Sequence, residues 1–258
     1  MWIKECTEPI HIEYVNEGES ELKTQVFLHE NIRVKNQKLI EIYVSTYYDK
    51  ISAVYANIEE EANEKAENRY AELGSYFNPE YDDPSDFAEL AWEAGIEHLQ
   101  MMALMRYNTK LMTISTLYQF WEQQIRKFLY EELTRHPNIN PLKGQLFKDF
   151  CARGFGDIRQ VFEKCGVDIK GFDAYAKLNE LRLLANLIKH GPGDSEDQLR
   201  KLRPDFFQDD ASDIDRMVFY RTTLNEIVLE IDDEELGIYG ESLIEFWEDI
   251  PQEMIYSS

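Results

Sequence analysis

Residues 178–193, Leu-Asn-Glu-Leu-Arg-Leu-Leu-Ala-Asn-Leu-Ile-Lys-His-Gly-Pro-Gly, constrain the fold of this chain more than any other stretch. A helix turns about 100° per residue. At that step Leu178, Leu181, Leu183, Leu184, Ala185, Leu187 and Ile188 cover most of its circumference. A helix apolar on so many sides must be surrounded by other elements, so it belongs at the centre of a helical assembly. Tyr175, Asn179, Arg182, Asn186 and His190 fall within one arc of roughly 80°. Polar groups on a buried helix need partners or carry a function. Two readings of the stripe are open: an internal hydrogen-bond network or seam between helices, and a phosphate-handling site. His190 also stands where a positive charge suits the helix dipole. Gly191-Pro-Gly193 stops the helix.

The rest of the chain supplies the surrounding helices. Residues 9–15 alternate apolar and polar side chains, residues 24–34 do so less cleanly, and Glu17-Gly-Glu-Ser20 lies between them. Residues 1–36 are therefore expected to form an N-terminal β hairpin or arm. Residues 37–71 lack Gly and Pro and carry Leu39, Ile42, Tyr43, Tyr47, Ile51, Val54 and Ile58 on one side, with a strongly acidic second half. A further helical region starts at Asp83-Pro84, a suitable cap and first turn, and runs to Arg135. Unbroken, it would extend roughly 78 Å, which exceeds a compact domain of this size, so a break is expected near residues 107–110. Met101, Met102, Met105 and Met112, with Tyr118, Phe120 and Trp121, read as core. Residues 144–165 suggest one or two short helices interrupted at Gly154-Phe-Gly156. The stripe helix is expected over 172–190, a covering loop over 194–213 and a strand over 217–231, marked by Ile227-Val-Leu-Glu-Ile231. Leu236, Tyr239, Leu243, Phe246, Trp247 and Ile250 mark a last helix. The fold class is mainly α: a helical bundle, residues 37–258, with small β additions near the N-terminus and before the last helix.

Charge and cysteine usage narrow the function classes. The chain has 50 Asp and Glu against 27 Lys and Arg, a formal net charge of −23. A passive nucleic-acid coat would be basic. The charge is uneven: residues 143–203 hold 12 basic and 9 acidic residues, and the remainder hold 15 and 41. The segment containing the stripe is thus a local exception on a repelling surface. Cys6, Cys151 and Cys165 form no CxxC pair, which suggests reduced thiols and a cytoplasmic protein. His11, His29, His98, His136 and His190 are scattered, so no metal site or cofactor is expected. No signal peptide is expected, and no apolar run is long enough to cross a membrane. Walker, GxGxxG, GxSxG and HExxH patterns are also missing.

The stretch Asn179-Glu-Leu-Arg182 followed by Asn186-Leu-Ile-Lys-His-Gly191 resembles the late-helix signature of HEPN domains (higher eukaryotes and prokaryotes nucleotide-binding). Leu202-Arg-Pro and Ile244-Glu-Phe-Trp247 add to a likeness with larger bacterial members that covers roughly residues 85–250. The resemblance implies a bundle of four or more helices, usually dimeric. Many members are metal-independent ribonucleases of toxin–antitoxin, CRISPR or anti-phage systems. Their motif is an Arg, commonly followed by a polar residue, with four to six residues between it and a His. Two copies meet across the dimer to form one cleft.

Carried onto this chain, the resemblance makes His190, Arg182 and Asn186 the candidate catalytic residues. Lys189, Tyr175 and Asn179 are candidates for RNA contact. A histidine has an unperturbed pKa of about 6.5 and can move protons near neutrality. Arg182 suits the charge of a phosphorane, and Asn186 suits orientation of His190 or a phosphate oxygen. The partners implied are an RNA substrate, a second copy of the chain, and a defence-system or antitoxin protein. A non-catalytic interaction or regulatory protein stands as the alternative. A decoy whose acidic face imitates nucleic acid falls within that alternative, motivated by residues 59–72 and 209–215.

Overall fold

The computed structural model describes residues 23–136, 139–208 and 214–257. The strand expected at 9–15 lies outside them. The elements run β1 (Lys23–Phe27), α1 (Glu30–Thr46), a π turn and a 3-10 turn to Tyr55, α2 (Ile58–Gly74), α3 (Pro84–Thr134), α4 (Phe147–Cys151), α5 (Phe155–Lys164), α6 (Tyr175–His190), α7 (Asp194–Leu202), α8 (Arg216–Tyr220), α9 (Glu235–Asp249) and β2 (Glu253–Ser257). The protein is mainly helical, with one small antiparallel sheet of β1 and β2 in which Gln25 faces Ile255. Thr24, Val26, Met254 and Tyr256 turn inward on that sheet, the alternation a half-buried ladder requires.

α6 is the central helix, packed on α3, α7 and α9. Leu178, Leu181, Leu184 and Leu187 are fully buried, as are Trp121 and Leu117 of α3 and Leu243, Phe246 and Trp247 of α9. Trp121 meets Phe246 edge to face at 4.9 Å, a favourable aromatic arrangement. α1 lies along α9, closely enough that a Cβ on Gly240 would fall 2.7 Å from Val44 Cγ2. Arg33 of α1 donates to the carbonyls of Trp247, Glu248 and Ile250. These include acceptors that the end of α9 leaves without helical partners.

α3 runs unbroken for 51 residues, so the break expected near 107–110 does not occur. The compact-domain argument fails because only its second half is core: from Tyr107 onward the inward positions are buried, whereas before it Ala91 and Gly95 alone are. The first half pairs with α2. A Cβ on Gly95 would lie 2.9 Å from the Ala62 carbonyl oxygen and 3.0 Å from Ala66 Cβ. Small residues thus let the two backbones approach. Asp83 caps α3 by accepting from the Ser85 N–H at 2.8 Å, which with the Ser85 hydroxyl holds its carboxyl below the usual range. Residues 58–104 contain 13 acidic and 2 basic residues, so this helical pair carries much of the net charge. Met101, Met105 and Met112, expected in the core, are exposed along it.

Four other expectations are corrected. Residues 24–34 are not all strand, because α1 begins at Glu30. The covering loop at 194–213 contains α7 and a 3-10 turn, Pro204–Phe207. The strand expected over 217–231 is absent: α8 takes its start and residues 227–231 form no ladder. The Tyr107 hydroxyl meets the Val228 and Leu229 N–H groups, and Glu230 N–H donates to the Phe206 carbonyl at 2.9 Å. Their apolar run is spent on burial of Val228, Leu229 and Ile231. The second strand follows the last helix, as β2, instead of preceding it.

Candidate functional site

The polar stripe of α6 is divided among different surroundings. Tyr175, Asn179, Arg182 and Asn186 are half-buried, and Lys189 and His190 are exposed. Gly191, at φ +77°, turns the chain out of the helix while its N–H still reaches the Leu187 carbonyl. Few residues other than glycine adopt that conformation cheaply. Arg182, Asn186 and Lys189 line one crevice of about 330 Å³. Its other walls are Tyr118, Gln119 and Glu122 of α3, Gly154 and Phe155 at the start of α5, and Ala185. His190 is not among its walls. The cause is helical phase: from Arg182, Asn186 lies about 40° round the helix, Lys189 about −20° and His190 about 80°. A stripe broad enough to include His190 therefore splits, and the residue in line with Arg182 is Lys189.

The α3 wall carries a polar row that sequence reasoning left within the core. Tyr118 donates to Glu122 Oε1 at 3.0 Å. Arg126 donates to the same oxygen at 2.9 Å and to the Cys151 carbonyl at 3.0 Å. Tyr118, Glu122 and Arg126 are spaced four apart, and that repeat within an apolar stretch was the available signal. Burial, together with the Glu122 charge, pushes the Tyr118 phenol far above its ordinary value. It stays protonated and serves as a donor. Gln119 donates to the Ser115 hydroxyl at 3.2 Å, and Ser115 reaches the Ala185 carbonyl, which ties the crevice floor to α6.

Arg126 neutralises Glu122, so Arg182 and Lys189 remain as surplus positive charge. Arg182 donates from Nη2 to Asn179 Oδ1 at 2.9 Å and from Nε at 3.3 Å. Among the described residues neither Arg182 nor Lys189 forms an ion pair. Asn179 thus orients Arg182, and Tyr175 packs against the core. The site can hold an anion: two cations and a carboxamide converge on a partly desolvated recess, where charge-assisted hydrogen bonds gain strength.

The opposite face of α6 holds a different polar cluster. Glu180, about 160° from Arg182, accepts from Arg203 Nη1 at 2.7 Å, from the Tyr239 hydroxyl at 2.8 Å and from Lys177 at 3.0 Å. Arg203 Nη2 also meets Glu235 Oε1 at 2.6 Å. Both carboxylates are buried. The Arg203 guanidinium lies 3.8 Å over the Phe206 ring. These groups pair with one another, Glu235 hydrogen-bonded through one of its two oxygens, and lock α6, α9 and the turn after α7 together. They account for the Leu202-Arg-Pro segment as structure.

The resemblance asks for an arginine at position 183, 184 or 185, counted back from His190. Those positions hold Leu183, Leu184 and Ala185, all in the core. Arg182 is the nearest arginine. Comparison of the chain with family models, with curated proteins and with solved structures gives no match. Among the described residues no group of three metal-ligating side chains converges, and no helix is long and apolar enough to cross a membrane.

Proposed function

We propose that the chain is a metal-independent endoribonuclease of the HEPN type. In this reading Arg182, Asn186 and Lys189 hold an RNA phosphate and His190 moves protons. The observation that carries it is the pair Arg182 and Lys189, which line one open crevice, form no ion pair among the described residues, and stand beside an exposed histidine on the same helix. The reaction is internal transesterification. A ribose 2′-oxygen attacks the adjacent phosphorus as its proton leaves to a base. The bond to the 5′-oxygen breaks as that oxygen takes a proton, leaving a cyclic phosphate and a free 5′-hydroxyl. Arg182 stabilises the extra charge of the phosphorane by paired hydrogen bonds. His190 does not line the crevice that Arg182 and Lys189 share, so one chain does not bring all three to one phosphate. A homodimer with its α6 ends together supplies His190 from the second copy as the base that takes the 2′-proton, and water protonates the leaving 5′-oxygen. By the same resemblance, the cellular role is anti-phage defence or a toxin held by an antitoxin partner.

The core residues at 183–185 favour a second reading, a non-catalytic regulatory or interaction protein that keeps the anion crevice. One experiment separates the two. End-labelled single-stranded RNA is incubated with pure protein and EDTA, alongside His190→Ala and Arg182→Ala. The nuclease reading expects cyclic-phosphate ends from wild type, a loss of about 10²-fold or more in both variants, and unchanged circular dichroism. Undiminished cleavage by His190→Ala refutes it. RNA binding by wild type without cleavage, under conditions where it is dimeric, selects the second reading.

A further inference from the structure

We infer that a second cationic crevice continues the Arg182 crevice across the first turn of α5, and that the two make one track for the backbone of a single-stranded RNA. The inference rests on the RNA reading of the first crevice, though not on catalysis. The second crevice has a volume of about 470 Å³, and its walls include Lys143, Gln145, Arg153, Asp157, Lys164 and Tyr256.

Three cations there go against the composition of the chain. Acidic residues outnumber basic ones 50 to 27, and arginines 33, 126, 200 and 203, none of them exposed, are each ion-paired. Lys143, Arg153 and Lys164 form no ion pair among the described residues. Arg153 is fixed by neutral partners: it donates to Gln145 Oε1 at 2.5 Å and lies 4.9 Å over the Phe150 ring. Lys164 reaches the Tyr256 hydroxyl at 3.4 Å. Asp157, the one carboxylate among the described residues of the wall, is engaged by the Gly154 N–H at 3.0 Å as the cap of α5. Three cations gathered against one carboxylate leave a net positive charge that repels itself, and a polyanion relieves that repulsion.

The two crevices share an edge. Gly154 and Phe155 line the first, whereas Arg153 and Asp157 line the second. At Gly156 a Cβ would meet nothing within 4 Å, and at Gly154 only Asp157 Oδ2 at 3.8 Å. The boundary between the crevices thus carries no side chain at Gly154 and Gly156, on either side of Phe155, and a phosphodiester chain can cross there. The ligand follows from the spread of charge. Arg182 and Lys189 on one side and three cations on the other suit successive phosphates of one strand better than a single small anion.

The test uses the full chain with His190→Ala to prevent cleavage, and fluorescent single-stranded RNAs of about four and about twelve nucleotides. Anisotropy is read between about 50 and 200 mM salt. Lys143→Gln with Lys164→Gln should weaken the longer RNA about tenfold. It should also lower the slope of log affinity against log salt by about 1.4, since each single-strand phosphate contact contributes about 0.7. Binding of the shorter RNA should not change, while Arg182→Gln weakens both. Unchanged affinity and slope for the longer RNA in the double-lysine variant overturn the track. So does a failure of the parent protein to bind either RNA at low salt. Failure of the nuclease reading looks different: no wild-type cleavage, yet length-dependent binding that the lysine substitutions weaken.

Discussion

Replacing Arg203 with methionine removes the cation at the centre of a buried cluster and keeps most of the side chain's apolar volume. Arg203 is 17% exposed at its side chain and pairs with Glu180 at 2.7 Å and Glu235 at 2.6 Å. Those carboxylates are 7% and 5% exposed. Breaking a buried pair from one side costs about 3–5 kcal/mol, because a desolvated charge is left behind. Lys177 stays 3.0 Å from Glu180 and 3.7 Å from Glu235, so the low end applies, about 3 kcal/mol. That is roughly a 150-fold change in the folding equilibrium. With a urea dependence of about 3 kcal/mol per M, the unfolding midpoint falls by about 1 M. Glu235 loses its hydrogen-bonding partner, since its other oxygen has none. Adding Glu235→Gln to the methionine variant should therefore recover about 1–2 kcal/mol, while the same change in wild type destabilises. Urea titration followed by tryptophan fluorescence across the four proteins completes the cycle. A cost below about 1 kcal/mol for Arg203→Met, or additive effects of the two changes, would show that the cluster is not electrostatically coupled.

Further outcomes follow from other contacts. Gly95→Val places methyls against the Ala62 carbonyl oxygen, 2.9 Å from the first added carbon. It should destabilise the α2–α3 pair by about 1–3 kcal/mol. Hydrogen exchange should quicken in α2 and stay slow in α6; equal change in both would refute a local effect. Burial pushes the Asp215 carboxyl upward, but hydrogen bonds from Arg200 and the Val218 N–H outweigh it and hold the group below its ordinary value of 3.8. A depressed carboxyl stabilises the fold fully above the unfolded pKa, about 3.9, and loses that contribution as pH falls through the folded value. Unfolding free energy of Asp215→Asn should thus vary less than that of wild type below about pH 4; parallel curves would refute the pairing. Cys165 is 3% exposed, and burial pushes its thiol up from 9.0 to about 12. At about pH 8 its thiolate fraction is ~1000-fold below that of a thiol with the ordinary value, and alkylation, followed by peptide mass, should be slower to match. Rapid modification in the native protein would contradict the burial.

Much of the fold could be read from apolar spacing. The stripe helix was expected over 172–190 and occupies Tyr175–His190; the last helix runs Glu235–Asp249 through all the apolar positions that marked it except Ile250, its C-cap. Gly191 needed its positive φ and so gave the stop. Failures came where local pattern met tertiary context. The apolar run at 227–231 has strand composition, but its N–H groups are taken by Tyr107 and by the Phe206 carbonyl, so no ladder forms. The methionines of α3 follow helical spacing, which cannot say whether a face is covered. α2 takes the side of Gly95 and leaves Met101 and Met105 bare.

The candidate site was legible on one helix and hidden on the others, for a physical reason. A helical wheel gives angles about a single axis, and a crevice is set by which neighbouring helix closes each angle. On the wheel, His190 and Lys189 flank Arg182 at about 80° and −20°. Only the position of α3 decides between them, and Tyr118, Gln119 and Glu122 close the side that Lys189 shares. The split bears on mechanism. Under the nuclease reading, the cation pair and the histidine that stands apart from it form one catalytic set only when another chain brings its own α6 end to the first. If the protein cuts RNA, a mixed dimer of Arg182→Ala and His190→Ala subunits should therefore regain activity, because one composite cleft recovers both groups. A strictly single-chain site would leave that mixture as inactive as either parent.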